Sequence, residues 1–207
     1  MTLAELYREL DAIPAPDWTP GAPFREAGAV LRAVVERLRA YDPELAEEAA
    51  GLLGLEAGEL EALLAEAYAG ELGDRAEAER FALLAALRAY ARGMGREAEG
   101  EDARCPVCGG EADVAYLDEE GFRHLVCGVC DSRWTVPRIA CPYCGETRHE
   151  RLRYYPYDPH YRLYQCLTCG ATLPAVDLRE AGRLDLPSLR AAGVEMRYLL
   201  ETQRVEG

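Results

Sequence analysis

The chain has 207 residues, of which 49% are hydrophobic and 29% charged, and its formal net charge at pH 7 is −14. No apolar run approaches the roughly 20 residues that a membrane-spanning helix needs. The first residues lack the basic and apolar segments of a signal peptide, so we expect a cytoplasmic globular protein without membrane insertion. The negative charge disfavours nucleic acid as a partner, because binding to a phosphate backbone depends on Lys and Arg displacing counterions.

The first part of the chain, residues 1–103, is predicted to be a helical domain. It carries a charge of −12, against −2 for residues 104–207. Its apolar residues recur at helical spacing, which predicts five amphipathic helices joined by short turns into a bundle. The first helix starts at Thr2, and the second runs from Phe24 to about Ala40. The third starts at Asp42, the fourth ends at Gly70, and the fifth runs from about Asp74 to Arg92.

Local signals mark the ends of these helices. Thr2 and Glu5 form a capping box, and Asp42 followed by Pro43 is typical of an N-cap and a first helical residue. Four prolines between the first two helices predict an extended linker. Trp18 lies in this linker, and we expect it to pin the linker to the bundle rather than to bind a ligand.

We find no catalytic constellation in this half, which contains no His and no Cys. Its many Glu residues, such as Glu47 and Glu48, are expected to form a solvated face, since a carboxylate-bridged metal motif also needs His. The polar, glycine-rich segment 93–102 predicts a domain boundary.

All eight cysteines lie in the second half and form four Cys-x-x-Cys pairs. Two intervening residues suit a tight loop, or knuckle, in which both sulfurs face one point, and this is half of a tetrahedral metal site. Taken consecutively, the pairs make two four-cysteine sites, with 18 residues between the pairs of the first and 21 between those of the second. The predicted metal ligands are Cys105, Cys108, Cys127, Cys130, Cys141, Cys144, Cys166 and Cys169.

Two other uses of paired cysteines are disfavoured. Disulfides need an oxidising compartment, and a thioredoxin-like dithiol is a single pair that opens a helix beside a strand. The neighbouring residues favour knuckles instead: Gly109, Gly145 and Gly170 each follow a pair, and Gly readily takes the positive φ that this turn needs. Asp131 follows the second pair, and Asp tolerates the left-handed region.

Each four-cysteine site is predicted to be built on a β-hairpin with one knuckle at each end. The first module covers residues 104–140 and the second residues 141–207. Each module is too small to fold on apolar burial alone, so bound metal must supply the missing stability. The predicted strands are 112–117 and 122–126 in the first module and 151–155, 160–165 and 171–178 in the second, and a closing helix follows at 185–202.

The remaining candidate ligands have other predicted roles. Four thiolates per site leave no vacancy for the imidazoles of His124, His149 and His160, which we expect on the hairpin surfaces. We expect Met196 to pack in the core rather than to bind metal, as part of a buried side of the closing helix made of Leu189, Met196, Leu199 and Leu200.

The carboxyl half of the chain resembles the FdhE family of formate dehydrogenase accessory proteins. The resemblance rests on the four spaced cysteine pairs, on Arg138 three residues before Cys141, and on Tyr164 two residues before Cys166, and it covers about residues 104–205. It implies an α+β multidomain fold, with an all-helical N-terminal domain, two tandem rubredoxin-like modules and a C-terminal helix. It also implies a cytoplasmic maturation factor, not itself an enzyme, that binds the catalytic subunit of a molybdenum- or tungsten-dependent formate dehydrogenase.

The cysteine spacing leaves the metal open, because four thiolates in a tetrahedron suit both zinc and a single iron. With iron, a small rubredoxin-like electron-transfer protein is the alternative function; with zinc, the modules are rigid platforms for a partner. Arg and Tyr often anchor protein interfaces, so exposed residues of these types are candidate contacts for a partner. An alternative role for several of the tyrosines named below is to cover the small modules. The candidate contact residues are Arg133, Arg138, Tyr143, Tyr154, Tyr155 and Tyr157.

Overall fold

The first half of the chain forms five α-helices, as the sequence predicts. A computed structural model describes residues 1–156 and 159–205, and the side chains as far as Tyr198. The side chains of Leu199 and Leu200 and the whole of Tyr157 lie outside the described residues. The helices of the first half are α1 Leu3–Asp11, α2 Ala27–Tyr41, α3 Pro43–Ala50, α4 Ala57–Ala69 and α5 Glu77–Ala91.

The two predicted caps are present in the structure. The Thr2 hydroxyl accepts a hydrogen bond from the Glu5 N–H, and the Glu5 carboxylate accepts one from the Thr2 N–H. The Asp42 carboxylate accepts from the first N–H groups of α3. Helix α5 begins at Glu77, three residues later than predicted, because Ala76 is extended and Gly73 makes a turn with a φ of +58°.

The linker between α1 and α2 is held against the helices by Trp18, as the sequence analysis expects. Its indole is buried, stacks on Phe24 with ring centroids 4.9 Å apart, and meets the edge of Tyr68 at 5.2 Å. The indole N–H donates to the Ala22 carbonyl at 2.9 Å. This aromatic contact closes an otherwise extended, proline-rich segment over the helical core.

The second half is built on one six-stranded sheet. The strand order is β3-β2-β1-β6-β5-β4, and every neighbouring pair is antiparallel except β1 and β6, which are parallel. Strand β3 follows the first hairpin and was not predicted. The strands are β1 Ala112–Leu117, β2 Arg123–Cys127, β3 Arg133–Val136, β4 Leu152–Pro156, β5 Tyr161–Cys166 and β6 Thr172–Asp177.

The parallel pairing of β1 with β6 joins the two cysteine modules into one sheet, with Ala115 opposite Ala175. Short helix α6, Leu178–Ala181, and the closing helix α7, Leu186–Val205, follow β6. Helix α7 packs on the joined strands, because its Leu189 and Met196 share a buried cluster with Val114, Val126 and Val176. Both residues were predicted to be buried.

The predicted fold class is confirmed: N-terminal helices precede a β region with two four-cysteine clusters and a C-terminal helix. The chain separates into two compact units, Met1–Gly95 and Arg96–Gly207. The finer division at residues 103 and 140 stays a prediction. Within the described part of the chain, no helix has the length and apolar character required to cross a membrane.

Candidate metal centres

The four cysteine pairs converge into two clusters, each made of two pairs that are consecutive in the sequence. Within a cluster, the sulfur atoms all lie within 4.8 Å of one another. In the first cluster, the sulfurs of Cys105 and Cys130 are 3.6 Å apart and those of Cys108 and Cys127 are 3.5 Å apart. In the second, the Cys141–Cys169 and Cys144–Cys166 separations are both 3.7 Å.

These separations fit a metal site and not disulfides. A regular tetrahedron with metal–sulfur bonds of about 2.3 Å has sulfur–sulfur edges of about 3.8 Å, whereas a disulfide bond is about 2.05 Å long. All eight cysteines are free thiols in the structure. Each cluster therefore has the number, type and spacing of donors that a tetrahedral zinc or iron ion requires.

The knuckles share one backbone geometry. The residue after each pair has a positive φ: +80° at Gly109, +66° at Asp131, +73° at Gly145 and +78° at Gly170. In every knuckle the N–H of the first cysteine donates to the carbonyl five residues later, over 2.7–3.0 Å. Asp131 thus takes the conformation that glycine takes in the other three knuckles.

Backbone N–H groups point at the sulfurs. In the first cluster the N–H groups of Val107 and Gly110 donate to Cys105 and Cys108 at 3.4 Å, and that of Val129 donates to Cys127 at 3.3 Å. Donors aimed at sulfur stabilise the thiolate over the thiol. These N–H groups therefore favour the thiolate form of the sulfurs that accept them.

The thiols within a cluster have different pKa values. The pKa of Cys105 is lowered because the thiol of Cys108 donates to its sulfur, and the pKa of Cys127 is raised by its hydrogen bond to the same sulfur. In the second cluster, burial raises the pKa of Cys141 to about 12. Burial opposes ionisation of Cys166 as well, but the N–H groups of Cys169 and Thr168 lower its pKa to about 7. A cation is needed to ionise all four thiols together, since adjacent thiolates repel one another.

The two clusters differ in exposure. All four cysteines of the first cluster are buried, whereas Cys144 and Cys169 of the second are exposed. A centre in the second cluster therefore has two ligands that reach solvent.

Arg190 of helix α7 ties this helix to the first cluster. Its guanidinium is only 2% exposed and donates to Asp113 on β1 at 2.9 Å, to Asp131 at 2.6 Å and to the Cys127 carbonyl at 2.9 Å. Burial alone lowers the pKa of Arg190, but the two carboxylates outweigh it and raise the pKa. This contact was not predictable from the sequence, because a single Arg in a helix carries no signal of burial.

Glu146 ties together the two knuckles of the second cluster. Its carboxylate accepts from the Thr168 hydroxyl at 2.6 Å, within the opposite knuckle, and from the Arg148 guanidinium at 2.7 Å. Hydrogen bonds from Arg148 and then Thr168 hold the pKa of Glu146 well below its usual range. This residue was not predicted either, because its partner is distant in the sequence.

The histidines lie outside both clusters. His124 is partly buried rather than fully exposed: its ring stacks on Tyr116 at 4.8 Å and its Nε2 lies 2.6 Å from a carboxylate oxygen of Asp118. His149 is exposed beside Glu150. Among the described residues, the groups spaced to hold a metal ion contain no histidine.

The candidate contact residues are scattered over the sheet unit. Tyr154 and Tyr155 are exposed on β4, and Arg138 is exposed after β3. Tyr143 is half-buried, and its hydroxyl donates to the Ala112 carbonyl at 3.2 Å, which links the third knuckle to β1. Burial raises the pKa of Tyr143 to about 12. Arg133 is half-buried in β3.

Comparison with known proteins finds similarity to FdhE proteins. The family description "FdhE, central domain" matches residues 104–138, which contain the first cluster. The FdhE homolog of Aquifex aeolicus is 28% identical over 158 residues, covering 71% of this chain and 55% of that protein. The homolog of Edwardsiella ictaluri is 31% identical over 153 residues, covering 68% of this chain and 49% of that protein.

The fold is also found among solved structures. The crystal structure of the FdhE protein from Pseudomonas aeruginosa matches with a TM-score of 0.64 and 20% identity, over 96% of this chain and 82% of that one. The chain spans about half the length of the two curated relatives described above.

Proposed function

The chain belongs to the FdhE family, and on this premise we propose that it is an accessory protein in the formation of a formate dehydrogenase. It binds the catalytic subunit during assembly, acts in the cytoplasm and performs no catalysis of its own. Its partner is a protein, and neither nucleic acid nor a membrane is required for its action.

The observation that carries the proposal is the pair of four-thiolate clusters joined by one sheet. The first cluster lies in the segment that matches the FdhE central domain. The sulfur spacings and the N–H donors suit two ions of zinc or iron, one held by Cys105, Cys108, Cys127 and Cys130 and the other by Cys141, Cys144, Cys166 and Cys169. Either metal supplies folding energy, and iron also supplies one-electron chemistry.

The joined sheet supports the proposal that the metals have a structural role in partner binding. Two small modules are fixed to each other by the β1–β6 pairing and by helix α7. Loss of one ion therefore disturbs a continuous surface and not a separate module. Arg138, Tyr154 and Tyr155 are exposed on this sheet unit and are the contact residues we propose.

The proposal is tested by affinity capture of the tagged protein, at native expression level, from anaerobically grown cells of its own source. We expect mass spectrometry to identify the catalytic subunit of a formate dehydrogenase among the bound proteins. We expect this subunit to be lost when both cysteines of one pair, Cys105/Cys108 or Cys141/Cys144, are changed to Ser. Arg183→Gln, at an exposed position, is the control. Failure to recover the subunit from cells that express it would overturn the proposal.

One observation favours a second function, electron transfer through iron. Cys144 and Cys169 are exposed, so a centre in the second cluster has ligands within reach of a redox partner. This alternative predicts that the protein purified without added metal contains iron, is coloured when oxidised, and gives a reversible one-electron wave. Colourless protein with two zinc ions excludes it, since zinc has no redox chemistry.

A further inference from the structure

A cavity opens on the sheet unit beside the second cluster. Its volume is about 330 Å³, and the strand residues that line it come from β2, β4, β5 and β6. The segment from Arg138 to Tyr143, which leads into the third knuckle, also lines it. A volume of this size lies at the lower end of the range for small-molecule sites, roughly 300–1,000 Å³.

The lining of the cavity is positively charged in an otherwise acidic protein. Four arginines and one histidine line it, and none of its described lining residues is an Asp or a Glu. The chain as a whole carries a net charge of −14. The arginines are Arg123, Arg138, Arg153 and Arg162. Arg162 is held by Asp177 at 2.6 Å, so the other three are the arginines left to meet a ligand, beside the predicted metal ligands Cys141 and Cys166.

Arg123, the first residue of β2, is the most unusual of these residues, since it is only 3% exposed. It donates to the carbonyls of Pro137 and Ala140, and its buried Nε has no partner among the described residues. Burial lowers the pKa of this guanidinium. A buried cation is costly unless a negative charge meets it, and the described carbonyl partners supply only dipoles.

Aromatic and apolar groups line the same cavity as this cation. The Arg123 guanidinium lies 5.8 Å from the ring centre of Tyr164, and the ring centres of Tyr164 and Tyr154 are 6.4 Å apart. Tyr154 is 61% exposed and Ile139 is 72% exposed, although both line the cavity. A cavity lined by the Arg123 guanidinium and by exposed apolar groups suits a ligand with one anionic end and one flat apolar end.

We propose that this cavity binds a small organic anion, with its carboxylate or phosphate group on Arg123 and its flat part against Tyr154 and Tyr164. The side chains proposed to hold the anion are not among the eight cysteines, and its binding does not depend on the proposed function. A different explanation is that Arg123 only balances the negative charge of the second cluster, since Cys141 and Cys166 also line the cavity. That explanation predicts no ligand binding, so the two are separable by experiment.

The test uses the metal-loaded full chain and saturation-transfer NMR with three probes: phenyl phosphate, benzoate and benzyl alcohol. The proposal predicts that at least one of the two anions binds with a Kd of about 1 mM or below and that neutral benzyl alcohol does not. The better of the two anions assigns the preferred head group. Arg123→Gln is expected to weaken binding at least about tenfold, while Arg183→Gln, which removes an exposed charge outside the cavity, leaves it unchanged.

Arg123 also holds two backbone carbonyls, so its replacement can disturb the fold. Arg138→Gln and Tyr154→Ala change exposed lining residues and are expected to weaken anion binding while metal content stays at the wild-type level. The proposal is overturned if the wild-type protein binds neither anion at millimolar concentration, or if benzyl alcohol binds as well as the anions. It is also overturned if folded Arg138→Gln and Tyr154→Ala proteins both bind the anions with unchanged affinity.

Discussion

Replacing Arg190 by Met is expected to destabilise the sheet unit strongly, because it removes the cation between two carboxylates. The side chains of Asp113 and Asp131 are 28% and 14% exposed, so each keeps some water but neither is fully hydrated. Removing one partner of a buried ionic network costs about 3–5 kcal/mol. Because the carboxylates are partly exposed, we expect a loss of stability at the lower end of this range, about 3 kcal/mol.

The positions of the two tryptophans allow the loss of stability to be measured for the sheet unit alone. Trp134 is buried in the sheet unit and Trp18 in the helical unit. In a Trp18→Phe background, the fluorescence of Trp134 therefore reports unfolding of the sheet unit alone. With a urea dependence of about 2 kcal/mol per molar, the Arg190→Met change should lower the urea midpoint by about 1.5 M at a fixed free metal concentration.

A second comparison separates the ionic effect from simple packing. Adding Asp113→Asn and Asp131→Asn to Arg190→Met removes the uncompensated charges, so much of the lost stability should return. Arg183→Met, at an exposed position, should leave the midpoint unchanged. A midpoint shift below about 0.3 M for Arg190→Met, or a triple variant no more stable than the single one, would refute the ionic account.

Three further predictions concern the second cluster, the pH dependence and the metal. Glu146→Gln should speed metal loss from the second cluster in a competition with a chelator, because it weakens the link between the knuckles. The control Glu150→Gln should leave this rate unchanged, and equal rates in both variants would contradict the role of Glu146. Hydrogen bonding to Arg179 lowers the pKa of Asp177 in the folded protein. The ionised Asp177 therefore stabilises the fold above the unfolded-state pKa of about 3.9, and this contribution is lost as the pH falls through the lower folded-state pKa. Asp177→Asn should accordingly lower the unfolding midpoint at pH 7, and a gap from wild type that widens below pH 4 would contradict this sign. Removal of both ions by a chelator under reducing conditions should abolish amide protection in residues 96–207 and leave it in residues 1–95, as hydrogen exchange would report; equal loss in both units would contradict it.

Local signals in the sequence were sufficient to predict most helices and strands. Thr2 and Asp42 start α1 and α3 because a side-chain oxygen caps the first free N–H groups. The knuckles were predictable because Gly and Asp at the four turn positions accept a positive φ, which the structure has at Asp131 as well. Strand β1 has the predicted bounds for the same kind of reason, since its alternation lies between two strong turn signals.

Pairing between distant segments was not predictable. The parallel contact between β1 and β6 has no turn of its own, so neither strand carries a signal for its partner. The modules were therefore expected as separate units, although they share one sheet. Arg123 and Arg190 illustrate the same limit, because Arg is normally exposed and only the assembled sheet reveals that these two are buried.

The most direct test of the two metal centres is native mass spectrometry of the reduced, metal-loaded chain. We predict two bound ions of zinc or iron in the wild-type protein and one ion after either Cys105→Ser or Cys144→Ser, because each change removes a ligand from only one cluster. A wild-type chain that binds fewer than two ions, or a variant that still binds two, would contradict the account.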